Sequence, residues 1–109
     1  MSEGQLQWVV VLVVDGQHYQ LSHPETRDLI RWLRTPNPHV PEADLKSAAA
    51  AVFLERLVED PTAENPPMND DEASGISLAL GRKVIKEGLT AREEALHDAL
   101  LAHFASRGS

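Results

Sequence analysis

The chain has 109 residues, a formal net charge of −7 and no cysteine, with 42% hydrophobic and 25% charged residues. These figures predict one soluble domain, residues 1–109, and exclude a disulfide framework, thiol catalysis and any Cys-ligated zinc or iron–sulfur centre. Acids outnumber bases nine to five over residues 1–60 and eight to five over residues 61–109, so neither half is basic on average, which argues against binding to duplex nucleic acid unless a local basic patch forms.

The first element is the run Trp8 to Val14, seven apolar and mostly β-branched residues closed by Asp15-Gly16. β-Branched side chains favour a pleated strand over a helix, and Asp-Gly suits a two-residue type I′ turn. The spacing predicts a hairpin over residues 6–22. Its first arm is apolar on both faces, whereas the second (Gln17, His18, Tyr19, Gln20, Leu21) alternates. A strand apolar on both sides is normally central and covered above and below. One of its edges would still lack a partner, which predicts a homodimer joined through Trp8, Val9, Val10, Val11, Leu12 and Val13 as an intermolecular four-stranded antiparallel sheet. The run is too short for a bilayer span of about 20 residues. Glu3 and the lack of basic residues before it argue against a secretory leader, so no membrane association and a cytoplasmic location are expected.

Ser22-His23-Pro24 ends the hairpin and opens a helix over about 24–34, with Glu25 at its positive end. Leu29, Ile30, Trp32 and Leu33 form its apolar side, and Arg27, Arg31 and Arg34 form a row along another. The connector from Thr35 to Pro41 holds three prolines and cannot be helical. A second helix over 42–60 carries two adjacent stripes, Leu45-Ala49-Val52-Phe53-Leu57 and Ala50-Leu54-Val58, which predicts contacts with more than one neighbour. Residues 61–70 read as a mobile acidic loop. Asn69 or Asp70 then caps a helix over 71–87, with Ile76, Ala79, Leu80, Val84 and Ile85 inward and a possible break at Gly81. Thr90 and Glu93 make a capping box for the last helix, 91–106, in which Ala95, Leu96, Ala99, Leu100 and Phe104 recur at helical spacing. The fold class expected is α+β: a hairpin packed against about four helices.

Few patterns point to chemistry. His97 and His103 are six residues apart on one helix, where a metal pair needs three or four. No metal site, cofactor or catalytic residue is therefore expected, and no nucleophile elbow or phosphate-binding loop is present. Residues 86–94, Lys-Glu-Gly-Leu-Thr-Ala-Arg-Glu-Glu, resemble the Gly-Leu-Thr-x-Arg-Glu opening of LuxR-type and some sigma-like DNA-binding domains. The resemblance implies a DNA-binding regulator with a helix-turn-helix over 75–104. Two things oppose it: only about ten residues follow Leu100, too few for a turn and a recognition helix, and a recognition helix at 90–104 would present Glu93, Glu94 and Asp98 to phosphate.

The remaining polar feature is the row Arg27, Arg31 and Arg34 with Trp32 beside it. Guanidiniums grip carboxylates in bidentate fashion, and arginine beside tryptophan is the usual make-up of a binding hot spot. The function expected is a small acidic, non-catalytic protein–protein interaction module: a regulator, adaptor or inhibitor, resembling in this respect small acidic phage-encoded inhibitors. The alternatives are the DNA-binding regulator and a small-ligand or metal-binding domain using the histidines.

Overall fold

The computed structural model describes residues 9–35, 41–59 and 68–107. Strands β1 (Val9–Val14) and β2 (Gln17–Ser22) lead into helices α1 (His23–Arg34), α2 (Pro41–Glu59), α3 (Asp70–Lys86) and α4 (Ala91–Arg107). The result is an α+β fold in which a two-stranded antiparallel hairpin packs against four helices. Trp8, His39 in the connector, and most of the loop expected at 61–70 lie outside the described residues.

The Asp-Gly pair turns the chain as its chemistry requires. Asp15 and Gly16 both take positive φ, 51° and 79°, the left-handed pair that matches the twist of the flanking strands. The turn fixes the register from Val14 opposite Gln17 to Val9 opposite Ser22. Val10, Leu12, Val14 and Leu21 are buried on the face that meets the helices, and Tyr19 packs beside them. On the opposite face Val11 and Val13 are only half-buried, next to exposed Gln20 and His18. The expectation of cover on both faces of β1 is therefore corrected among the described residues, because the fold supplies a single layer of helices and that layer takes one face.

Ser22 ends β2 and caps α1 in one step. Its hydroxyl accepts the Glu25 amide while Glu25 Oε1 accepts the Ser22 amide at 2.8 Å, a reciprocal capping box. Asn69 and Glu72 repeat the device at the start of α3. α3 runs unbroken through Gly81.

The core gathers Leu29 and Leu33 of α1, Phe53, Leu54 and Leu57 of α2, Ile76 and Leu80 of α3, and Leu96 and Leu100 of α4. Each fully buried side chain of this size contributes about 1.5–3 kcal/mol. α2 and α3 cross so closely that a Cβ on Gly75 would lie 2.5 Å from the Lys46 carbonyl oxygen and 3.0 Å from Ala50 Cβ. This contact corrects the stripe assignments. Small residues Ala50 and Ala51 face the crossing and are buried, which rotates Leu45 (79% exposed) and Val52 of the predicted first stripe outward. Val84 and Ile85 (81% exposed), expected inward on α3, are likewise turned to solvent. Phe53 and Leu57 of the first predicted stripe and Ala50 and Leu54 of the second are all buried, so α2 meets more than one neighbour as expected, and only the outer members Leu45 and Val52 turn away.

Candidate interaction surface

The N-termini of α1 and α4 are tied together by their caps. Thr90 immediately precedes α4, and its hydroxyl accepts the Glu93 amide at 3.2 Å while donating to Glu25 Oε2 at 2.5 Å. Arg92 Nε donates to Glu25 Oε1 at 2.8 Å. Burial pushes the Glu25 carboxyl up, but hydrogen bonds from Arg92, Thr90 and Ser22 outweigh it and lower the pKa to about 2. One carboxylate thus closes the capping box of α1 and grips the start of α4.

A second polar cluster lies beside it. Lys83 of α3, 6% exposed, places Nζ 2.7 Å from Oε2 of fully buried Glu93 and 2.9 Å from Asp28 Oδ2. The other Glu93 oxygen accepts the Thr90 amide at 3.0 Å, so both carboxylate oxygens are used. Burial opposes the Lys83 ammonium, yet its bonds and charge interactions with Glu93 and Asp28 prevail and raise its pKa. Asp28 is lowered: burial acts against its charge, and hydrogen bonds from Arg31 and Lys83 overcome that. This cluster escaped sequence reasoning, which read Glu93 only as a cap and Glu25 only as a dipole partner. The available signal was the capping box itself, because a glutamate fixed at that position keeps one oxygen free to meet whatever packs against it.

The arginine row of α1 lies on the outside of this junction, and its members have separate fates. Arg31 pairs with Asp28 and lies 3.7 Å from Glu87. Arg34 reaches across to Glu55 of α2 at 2.7 Å. Arg27 donates Nε to His23 Nδ1 at 3.4 Å and has no carboxylate partner among the described residues. It forms one side of an open groove of about 270 Å³ between α1 and α2, together with Ile30, Val58, Glu55 and Glu59. Trp32 is half-buried; the Arg82 guanidinium sits 5.6 Å over its ring and donates to the Thr35 carbonyl. The Trp32 indole nitrogen is buried with no hydrogen-bond partner among the described residues. The structure therefore places Arg27 at a groove, Arg31 and Arg34 in exposed ion pairs, and Trp32 beneath a cation.

The histidines are dispersed. His18 is exposed, His23 accepts from Arg27, and His97 sits against Gly81. His103 Nδ1 lies 2.8 Å from Asp15 Oδ1, beside a cavity of about 130 Å³ under the hairpin turn. Among the described residues no three metal-ligating side chains come together. On α4, Arg92 is engaged by Glu25 and Glu93 is buried, which leaves Glu94 and Asp98 exposed on the helix of the DNA-binding alternative. No helix of the described residues is long and apolar enough to cross a membrane. Comparison with protein families, curated sequences and solved structures gives no match.

Proposed function

We propose that the protein is a small acidic, non-catalytic interaction module that docks another protein along α1, acting as a regulator, adaptor or inhibitor. The observation that carries this reading is the groove between α1 and α2. Its lining combines apolar Ile30 and Val58 with Arg27, whose guanidinium has no carboxylate partner among the described residues, and two acids, Glu55 and Glu59. Such a site takes an aliphatic side chain with a carboxylate beside it: the apolar part fills the groove and the acid closes on Arg27 in bidentate fashion. Arg31 and Arg34 extend the same face. Their ion pairs are solvent-exposed and worth about 0–1 kcal/mol, so a partner's acids can displace Asp28 or Glu55 at small cost. Trp32, half-buried under Arg82 of α3, lies on another side of α1 and braces the helix from behind without lining the groove.

Affinity capture from the source cell with the wild-type chain and with Arg27→Glu tests the reading. Arg27 is exposed, so the melting temperature should stay the same. At least one protein captured by the wild type should be lost with the variant. Identical capture by both chains would remove the groove as the docking site.

A further inference from the structure

We propose that β1 pairs along its open edge with β1 of a second copy, antiparallel and about a two-fold axis at Val11, giving a sheet ordered β2-β1-β1-β2. This goes beyond docking on α1 and stands independently of it. The argument starts from an asymmetry within the hairpin. On the face away from the helices, β2 presents His18 and Gln20, both exposed, as suits an edge strand. On the same face β1 presents Val11 and Val13, as suits a strand with neighbours on both sides. Yet among the described residues β1 pairs with β2 alone. It has the side chains of a central strand in the position of an edge.

The backbone specifies the missing neighbour. In a hairpin closed by a two-residue turn the flanking pair exchanges both hydrogen bonds, and every second pair repeats this. Val14–Gln17, Leu12–Tyr19 and Val10–Leu21 are those pairs. The amide and carbonyl groups of Val9, Val11 and Val13 therefore point to the open edge. An antiparallel copy centred on Val11 sets Val11 opposite Val11 and Val9 opposite Val13, so all three residues bond. Centring on Leu12 would leave Val9 opposite the turn. Parallel pairing would bring Asp15 alongside Asp15, a like-charge contact the antiparallel arrangement avoids. A second copy also closes the assembly: each β1 edge satisfies the other, and the polar β2 strands become the two rims. A heterologous strand would leave its own far edge open. Pairing of a six-residue strand edge alone buries less than the roughly 1,200–2,000 Å² of a standard interface, so association should depend on concentration in the micromolar range.

The absence of cysteine makes disulfide trapping clean. Across the axis the two Cα atoms of residue 11 would be about 5.5 Å apart, inside the disulfide range. The two copies of residue 13 would be offset by four residues, about 13 Å. Under mild oxidation Val11→Cys should convert to covalent dimer, and Val13→Cys should convert at least tenfold more slowly. Equal rates, or a faster Val13→Cys, would overturn the Val11 register. Val11→Pro removes one outward amide and leaves the bonds to β2 in place. It should sediment as a monomer with unchanged helical circular dichroism at concentrations where the wild type is dimeric. A wild type that stays monomeric to about 0.5 mM would overturn the pairing itself.

Discussion

Two regions of this molecule handle polar groups in opposite ways. Where α1, α3 and α4 meet, every charge finds a partner: Glu25 holds Arg92 and Thr90, and Lys83 holds Glu93 and Asp28. Along the free edge of β1, apolar side chains flank backbone groups that no other described residue satisfies. The first region is complete within one chain, and its job is to fix three helices in one arrangement. The second, under the pairing proposed above, is completed by a second copy. Saturation thus separates what holds this fold together from what it offers outward.

The comparison is broken most severely at Lys83. Lys83→Met leaves Glu93 buried without its cation, a change that costs about 3–5 kcal/mol, a large share of the ~5–15 kcal/mol typical of a domain. Urea unfolding should show a correspondingly lower midpoint. Adding Glu93→Gln should recover part of the loss, because a neutral amide can still accept the Thr90 amide. If Lys83→Met costs less than 1 kcal/mol, the junction is not the internally completed unit described above.

A gentler break comes from acid. Glu25 has a pKa of about 2 in the folded protein against an ordinary 4.5, so the unfolded chain takes up its proton first as pH falls. The stability this carboxylate contributes is present above pH 4.5 and is lost as pH drops from there through about 2. Allowing for the exposure of Arg92, the contribution at neutral pH is about 2 kcal/mol. Glu25→Gln should be less stable than wild type by that amount at pH 7, and the gap should close toward pH 2. A gap independent of pH would show that Glu25 acts through packing alone.

How much of this was legible in the sequence depends on whether a feature is local. The hairpin, both of its turn residues and the Thr90–Glu93 cap were readable because each is decided within about four residues. The rotation of α2 and α3 was not, because Leu45 and Ile85 fit a helical stripe as well as Leu54 and Leu80 do. Which members turn outward depends on long-range contacts such as the approach of Gly75 to the Lys46 carbonyl, which joins residues 29 apart. The arginine row was legible as a row. Arg31 finds Asp28 on its own helix, whereas the pairing of Arg34 depends on where α2 brings Glu55, and Arg27 meets no carboxylate among the described residues. The Lys83–Glu93 pair required knowing that α3 and α4 fold back on each other across Gly88, which takes φ 85°.

The most direct test of the open edge is amide hydrogen exchange of β1 measured at rising protein concentration. Leu12, whose amide is bonded to β2 within the chain, should exchange slowly at every concentration. Val11 and Val13 should exchange fast in dilute solution and slow toward the Leu12 rate as the concentration rises through the micromolar range. Fast exchange of Val11 and Val13 at all concentrations would contradict the account, since the edge would then stay open to water.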